Sequence, residues 1–271
     1  MSWTPEIDAA VSALIARVAQ EAIAPRYRQL SEADVINKAV NDVVTVADTH
    51  AERLLSEGLA TILPQATIVG EEAAHADPAL MERLGDGLCW IIDPLDGTNN
   101  FAAGKPPFGV LIALAEHGQC VAGWIHDVPS GRLCTAQLGR GAFVNGKPVR
   151  ATPTSQVPPV AAISTVFMDA AQREAMRQHI LPHYSVVDIP RCAAEQYPRL
   201  VLGVNDVSIF ERTLAWDHAA GVLFVNEAGG KAARPDGRPY RVDQLGEKGL
   251  IAARTPALFD AMAERLAGLP G

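Results

Sequence analysis

The chain has 271 residues, of which 48% are hydrophobic, and a formal net charge of -8. This length and apolar content are ample for one large or two medium domains with buried cores. An acidic surface disfavours a nucleic-acid backbone or an anionic membrane as the main partner. The acidic surface does not argue against a small anionic substrate, because a bound metal ion can reverse the local charge.

The cysteines and the N-terminal segment indicate the cellular compartment of the protein. Four scattered cysteines without a C-x-x-C pair indicate reduced, mostly buried thiols. The N-terminal segment holds Glu6 and Asp8 and lacks the basic and apolar regions of a secretory signal. No apolar run of the sequence approaches the roughly 18 residues that a membrane span requires. We therefore expect a cytoplasmic protein.

The first half of the chain predicts two helices followed by a series of hairpins. Thr4-Pro5-Glu6 is typical of a helix start, with the Thr4 hydroxyl as the cap. A second helix is expected from near Thr45 to Ile62, because Pro64 would end it. Glycine and proline turns separate short β-prone runs, which predicts antiparallel strands at 67–70, 88–93, 108–115, 120–126, 132–137 and 142–144.

The proline-rich segment 152–159 predicts a boundary between residues 1–151 and 152–271. Beyond it, strand and helix patterns alternate, which is typical of α/β structure. Strands are expected at 160–166, 185–189, 206–210 and 249–253, and helices at 169–180, 193–202, 217–228 and 256–267. The pattern predicts an α+β N-terminal half and an α/β C-terminal half, with the functional site at their junction.

The most informative segment is 90–101, where an apolar strand ends in a turn that carries two carboxylates. Asp93 and Asp96 lie at the strand end, and Gly97 and Thr98 follow at the start of a predicted helix. Carboxylates suit a hard divalent cation such as Mg²⁺, and free amides at a helix start suit a phosphate. A cation site beside a phosphate site is what a metal-dependent phosphate-ester enzyme needs.

Further acidic residues lie at the boundaries of other predicted elements. Asp48 begins the second helix, Glu71 follows a predicted strand, and Asp217 opens a helix rich in small residues. Taken singly, each is more often a turn or helix-capping residue, so the argument rests on their joint occurrence. If they converge on Asp93, each pair about 4 Å apart would repel by about 4 kcal/mol at an effective dielectric near 20. Two or more Mg²⁺ ions would relieve that repulsion and activate a water.

Together these motifs resemble the inositol monophosphatase family, part of the Mg²⁺-dependent, lithium-sensitive phosphatase superfamily. The resemblance spans about Val11 to Leu258 and rests on four motifs in the family's order. They are Asp42-x-Val-Thr-x-x-Asp48, Gly70-Glu71-Glu72, Asp93-Pro-Leu-Asp96-Gly-Thr98-x-Asn-Phe and Trp216-Asp217-x-Ala-Ala-Gly221. The resemblance implies a layered α-β-α-β-α sandwich, commonly a homodimer, that acts on a small phosphorylated metabolite.

The resemblance also implies roles for individual residues. The implied ligands of two or three Mg²⁺ ions are Glu71, Asp93, the carbonyl of Leu95, Asp96 and Asp217. Thr98, hydrogen-bonded to Asp48, is implied to help Glu71 and a metal ion activate the attacking water. The implied substrate-binding residues on the phosphate side are Lys38, Asp96, Gly97 and Thr98, with the amides of the last two on the phosphate.

The residues expected around the leaving alcohol depart from those of the inositol enzymes. Segment 191–196 stands where those enzymes have Gly-Ser/Thr-Ala, and it places the charged Glu195 at or beside the hydroxyl position. Glu211 best matches their inositol-binding glutamate, although it lies one residue closer to Asp217 than usual. We expect Glu195 and Glu211 to bind the substrate and to set its identity.

The sequence therefore predicts a phosphomonoesterase for a small polyol or sugar phosphate that resembles inositol 1-phosphate. A phosphatase for histidinol phosphate, fructose 1,6-bisphosphate or a 3′-phosphonucleotide remains open, as does a non-catalytic protein that binds a phosphorylated metabolite. The histidines are expected to be structural or surface residues and not catalytic ones, because oxygen-rich sites prefer Mg²⁺ to metals that bind imidazole. Those considered are His75, His126, His179 and His218, which form no pair with metal-ligand spacing.

Overall fold

Two main β-sheets and three helical layers make up the fold, which a computed structural model describes for residues 4–39 and 42–269. The helices are α1 (Pro5–Val18), α2 (Val46–Ile62), α3 (Glu71–Ala76), α4 (Thr98–Ala102), α5 (Ala170–Ala175), α6 (Ala193–Val201), α7 (Ala215–Glu227) and α8 (Pro256–Ala267). The strands of the first half are β1 (Val35–Ala39), β2 (Asp42–Thr45), β3 (Thr67–Gly70), β4 (Leu88–Asp96), β5 (Gly109–Glu116), β6 (Gln119–Asp127), β7 (Arg132–Gln137), β8 (Gly141–Val144) and β9 (Lys147–Val149). Those of the second half are β10 (Val160–Ile163), β11 (Ser185–Val187), β12 (Val207–Phe210), β13 (Lys231–Ala233) and β14 (Leu250–Ala253).

The larger sheet has seven strands in the order β3-β4-β5-β6-β7-β8-β9. Only the β3–β4 pair among these is parallel, and the hairpins predicted from the turn residues form the antiparallel remainder. The smaller sheet has the order β11-β10-β12-β14-β13 and is mixed, since β10 pairs in parallel with both of its neighbours whereas β14 pairs antiparallel with both of its own. Strands β1, β2, β9 and β13 were not predicted. The two sheets come from the two halves of the sequence, and the division into domains stays a prediction.

Side chains that alternate along the strands explain the order of the layers. On β4, Ile92 packs against α1 and α2, whereas its neighbour Ile91 packs on the opposite face with α6 and α7. On β14, Ala252 belongs to that same central cluster, and Ile251 packs outward with α8. The order is therefore α-β-α-β-α, which confirms the fold class that the resemblance implied.

Helix α7 lies in the central layer and is buried along most of its length. Its small residues allow this close packing. A Cβ atom at Gly221 would lie 2.0 Å from the ring of Tyr197 on α6, so only glycine permits the two helices to approach this closely. The first turn of α7 carries Asp217 to the junction between the two sheets.

Several expected boundaries differ from the observed ones. Thr4 precedes α1 without a side-chain capping bond; its backbone carbonyl instead accepts from the N–H groups of Ile7 and Asp8. The helix expected over 169–180 ends at Ala175 and continues as a π-helical turn, 176–180, which buries Met176. Within residues 4–39 and 42–269, no helix combines the length and the apolar character needed to cross a membrane.

Candidate active site

Asp93, near the end of β4, is a carboxylate enclosed by protein. It is 1% exposed, and its Oδ1 accepts a hydrogen bond from the N–H of Leu95 at 3.1 Å. The pairing of β4 with β5 shifts register between Asp93 and Asp96, where Pro94 has no N–H to offer. The regular hydrogen-bonded ladder therefore ends here, and the irregular strand end presents the carboxylates of Asp93 and Asp96 to the site.

Four other carboxylates act on Asp93. Burial raises the pKa of Asp93 well above its ordinary value, and the negative charges of Glu71, Asp96, Asp217 and Asp48 raise it further. These acids come from α2, α3, β4 and α7, so the fold brings together residues that are far apart in sequence. We call Asp48, Glu71, Asp93, Asp96 and Asp217 the carboxylate cluster. The side chain of Asp217 is 20% exposed, which leaves the cluster open on that side.

The chemistry of the cluster fits a hard divalent cation, because every side-chain donor is an oxygen and the central carboxylate is buried among like charges. The arrangement of these side chains fits a metal ion less closely than their chemistry does. In the described part of the chain, no three or more aspartate, glutamate, histidine or cysteine side chains form a group that could hold a metal ion as they stand. Asp93 and Asp96 are instead bonded to backbone N–H groups. The metal-ligand roles, including that of the Leu95 carbonyl, therefore stay a prediction.

Thr98 and Asp48 form a pair on one side of the cluster. The Thr98 hydroxyl lies 3.0 Å from Asp48 Oδ1 and 2.8 Å from the carbonyl oxygen of Leu95, and its single proton can be donated to one of them at a time. Asp48 Oδ2 accepts from the N–H and the hydroxyl of Thr45, which completes the capping box of α2. Burial raises the pKa of Asp48 to about 6, so the carboxylate is ionised at higher pH.

Glu52, which was not predicted, holds the helix that begins with Glu71. Its two carboxylate oxygens accept from the N–H groups of Glu72 and Ala73, each at 2.8 Å, and so cap α3. A Cβ at Gly70 would lie 2.4 Å from Cδ of Glu52, so this contact also requires the glycine. The available signal was an acid one helical turn after Asp48, on the same face of α2.

Asp96 ties the end of β4 to the second half of the chain. Its Oδ2 accepts from the N–H of Ala194 at 2.6 Å, in the first turn of α6. Burial raises its pKa to about 6, although the N–H groups of Ala194, Ala193 and Gly97 and the thiol of Cys192 act to lower it. Gly97 has φ +81°, and a Cβ there would lie 2.9 Å from the carbonyl oxygen of Pro107, so glycine is needed at this turn.

Glu195 and Lys38 are two of the expected substrate-binding residues. Glu195 is engaged by two guanidinium groups, with Arg132 Nη2 at 2.5 Å from Oε2 and Arg199 Nε at 2.8 Å from Oε1. Lys38 lies on β1, and its side chain falls outside the described residues. Contact of either residue with a substrate stays a prediction.

Glu211 lines a cavity of about 280 Å³ beside the cluster. Its Oε1 lies 3.7 Å from Nζ of Lys248 and 3.4 Å from Nε2 of Gln172. The neighbouring Arg212 also lines the cavity, and its Nη2 lies 3.7 Å from Asp217 Oδ2. Arg212 therefore connects the cavity to Asp217 of the carboxylate cluster, and binding of the leaving alcohol in this cavity stays a prediction.

His218 is buried and hydrogen-bonded through both ring nitrogens. Its Nε2 lies 2.9 Å from the carbonyl oxygen of Arg212, which can only accept, so Nε2 carries the proton. Nδ1 then accepts from the Tyr197 hydroxyl at 2.6 Å. Burial lowers the pKa of His218 to about 3 and keeps the ring neutral. The observed contacts are those of the structural residue that was expected.

The similarity of the chain to known proteins agrees with this geometry. A sequence profile described as the inositol monophosphatase family matches residues 4–269. An inositol-1-monophosphatase from Mycobacterium leprae (strain TN) is 34% identical over 233 residues, which cover 83% of this chain and 78% of the relative. A histidinol-phosphatase from Chlorobaculum parvum (strain DSM 263 / NCIMB 8327) is 34% identical over 230 residues, covering 81% and 82%.

A solved structure supports the same assignment. The extragenic suppressor protein suhB from Bartonella henselae superposes with a TM-score of 0.82 at 26% identity, covering 97% of this chain and 99% of that one. The chain belongs to the inositol monophosphatase family, which is a family of phosphatases. The relatives carry the names of different substrates, so membership leaves the substrate to be decided by the residues around the leaving alcohol.

Proposed function

We propose that this chain is a Mg²⁺-dependent phosphomonoesterase that hydrolyses a small polyol or sugar phosphate, such as one resembling inositol 1-phosphate. The observation that carries the proposal is Asp93, a carboxylate 1% exposed whose pKa is raised by four further acids. A site that bound phosphate without a metal would be expected to present cations to it. An acidic site accepts a phosphate only when cations bridge the two.

In this proposal Glu71, Asp93, Asp96, Asp217 and the Leu95 carbonyl hold two or three Mg²⁺ ions. When bound, these ions supply Lewis-acid stabilisation of the phosphoryl group and a source of nucleophilic water. Asp96 can keep its bond to Ala194 through one oxygen and offer the other. Glu52 fixes the start of α3 and with it the backbone of Glu71.

Thr98 and Asp48 orient the attacking water, together with Glu71. When the Thr98 hydroxyl donates its proton to ionised Asp48, its oxygen can accept a hydrogen bond from that water. Because the capping box holds Asp48 through its other oxygen, the acceptor does not need to reorganise. The amide of Thr98 is proposed to face the phosphate, together with that of Gly97 and with Lys38.

Glu211 and Glu195 are proposed to lie on the side of the leaving alcohol. A second candidate function is favoured by Glu211, since a carboxylate lining the cavity could pair with the amine of an amino alcohol phosphate such as histidinol phosphate. The relative from Chlorobaculum parvum bears the name of that activity.

A substrate panel tests the proposal directly. Phosphate release would be measured from inositol 1-phosphate, fructose 1,6-bisphosphate, histidinol phosphate and a 3′-phosphonucleotide, after EDTA treatment and again after Mg²⁺ is returned. We expect release only with Mg²⁺, inhibition by millimolar Li⁺ and a homodimer in solution, as the family resemblance implies. Absence of release from every ester would favour the non-catalytic alternative, and release in EDTA would contradict the metal mechanism.

A further inference from the structure

Arg212 stands between the cavity and the carboxylate cluster. Its guanidinium carbon lies 4.3 Å from the centre of the Phe167 ring, and its Nη2 lies 3.7 Å from Asp217 Oδ2. Both residues are accessible, with the side chain of Arg212 44% exposed and Phe167 50% exposed. Stacking uses the face of a guanidinium and leaves its in-plane N–H groups to bind planar anions.

The backbone of Arg212 is held by buried groups. His218 donates to its carbonyl oxygen, and Tyr197 donates to His218 in turn. Since His218 lies next to Asp217 on α7, the same helix positions Asp217 of the carboxylate cluster and the backbone of Arg212. The backbone from which the Arg212 side chain extends is therefore anchored to the core.

The other charges around the cavity are more closely balanced. Glu247 pairs with Arg238 at 2.5 Å and lies 3.5 Å from Nε of Arg234. Oε1 of Glu211 lies 3.7 Å from Nζ of Lys248. The acid beside Arg212 is Asp217, at a distance longer than a hydrogen bond. Arg212 is thus a cation with capacity left to bind an incoming anion.

We propose that Arg212 recognises an acidic group, a carboxylate or a second phosphate, on the leaving alcohol. Glu211, on the same cavity, accepts hydrogen bonds from the hydroxyls of that alcohol. The substrate class is then the phosphate ester of a hydroxylated acid or of a sugar phosphate, in preference to a neutral polyol or an amino alcohol. This inference rests on the phosphomonoesterase activity of the proposed function, and it replaces the neutral polyol by an acidic alcohol as the preferred leaving group.

Two matched pairs of esters test the proposal. Glycerol 1-phosphate and 3-phosphoglycerate differ by a carboxylate, and fructose 1-phosphate and fructose 1,6-bisphosphate differ by a second phosphate. We expect wild-type kcat/KM to be at least about tenfold higher on the acidic member of one pair, which identifies the acidic group. Arg212→Gln should lower kcat/KM on that member by a factor of about 10 to 100, mainly through KM, and on its neutral counterpart by less than about threefold.

Arg177→Gln is the matched control, because it removes an arginine whose side chain is 67% exposed and which is not among the residues that line the cavity. It should change kcat/KM less than about threefold on every ester. An equal loss on acidic and neutral esters in Arg212→Gln would mean that the arginine acts through Asp217, and would overturn the proposal. Wild-type preference for the neutral member of both pairs would do the same.

A binding measurement separates this inference from the proposed function. The variant Thr98→Ala is used to suppress hydrolysis. Calorimetry in the presence of Mg²⁺ would give the Kd of each ester of both pairs for Thr98→Ala and for the double variant Thr98→Ala/Arg212→Gln. We expect the first variant to bind the preferred acidic ester at least about tenfold tighter than its neutral counterpart, and the second to lose that difference. If the wild type hydrolyses nothing, the proposed function fails, while such a binding difference would still support Arg212. Equal Kd values within both pairs would contradict it.

Discussion

The hydroxyl of Thr98 lies 3.0 Å from a carboxylate oxygen of Asp48, although 50 positions of sequence separate the two residues. Thr98 begins α4, and Asp48 completes the capping box of α2. Two helix starts thus meet beside the buried carboxylate of Asp93. The pairing links a feature of local structure, a helix cap, to the proposed orientation of the attacking water.

Replacing Thr98 tests that role. Thr98→Val keeps the shape but removes the hydroxyl, so kcat should fall by about 10² to 10⁴, the usual range for a positioned proton-transfer group. Thr98→Ser should retain most of the rate. Thr61→Val, which removes an exposed hydroxyl near the end of α2, is the control and should leave kcat unchanged. Turnover near the wild-type rate in a folded Thr98→Val protein would remove Thr98 from the mechanism.

Glu52→Ala should weaken both the fold and the metal site. It removes the acceptor of two N–H groups at the start of α3, which should lower the free energy of unfolding by about 1 to 3 kcal/mol. Because Glu71 begins that helix, the Mg²⁺ concentration needed for half-maximal activity should rise. Glu57→Ala removes an exposed partner of Arg53 on the same helix and should cost less than about 0.5 kcal/mol. Urea unfolding with indistinguishable results for the two variants would refute the capping role.

The stability of the metal-free protein should depend on pH through the cluster. Burial raises the pKa of Asp93, and raises those of Asp96 and Asp48 to about 6, whereas in the unfolded chain such groups ionise near pH 4. The folded protein therefore binds more protons, and this contribution, complete below about pH 4, is lost as pH rises through about 6. His218 acts in the opposite sense, since its lowered pKa makes its contribution present above about pH 6.5 and lost towards pH 3.

The difference between samples with and without Mg²⁺ isolates the carboxylates from His218. At pH 8 the cluster is charged, and saturating Mg²⁺ should raise the melting temperature by about 5 °C. At pH 5 protons compete for the same oxygens, so the rise should be less than about half as large. NaCl at matched ionic strength is the control for general screening. An equal rise at both pH values would show that Mg²⁺ acts elsewhere.

Asp93→Asn should separate stability from activity. The substitution removes a carboxylate that is 1% exposed and surrounded by four other acids, and the new amide can donate to the carboxylates around it. In EDTA the melting temperature should therefore increase by at least about 2 °C, or about 1 kcal/mol for a chain of this size. Asp260→Asn, on an exposed pair with Lys231, should change it little. A lower melting temperature in metal-free Asp93→Asn would contradict the repulsion that we infer.

The sequence predicted those parts of the site that depend on local pattern. The apolar run before Asp93, the turn at Gly97 and the small residues after Asp217 each have a signature within a few positions, and the corresponding elements are observed. The resemblance added the pairing of Thr98 with Asp48. Thr4 was misassigned as a side-chain cap because a backbone carbonyl can serve the same N–H groups.

The contacts that were not predicted depend on how distant elements meet. Ala194 donates to Asp96 across 98 positions, and Arg132 reaches Glu195 across 63. Neither contact leaves a local pattern, because a backbone N–H has no residue type and an arginine on a strand is usually a solvated charge. Arg212 was missed for the same reason, since its closeness to Asp217 depends on the turn before α7.

The most direct test of the account follows Mg²⁺ binding and phosphate release in the same samples. Mg²⁺ would be titrated into the metal-free wild type and into Asp93→Asn, with calorimetry for binding and a phosphate assay on the best ester of the panel. We predict that wild-type activity rises with Mg²⁺ occupancy, and that folded Asp93→Asn loses tight binding and several orders of magnitude in rate. Full activity of the wild type in EDTA, or wild-type binding and turnover in Asp93→Asn, would contradict it.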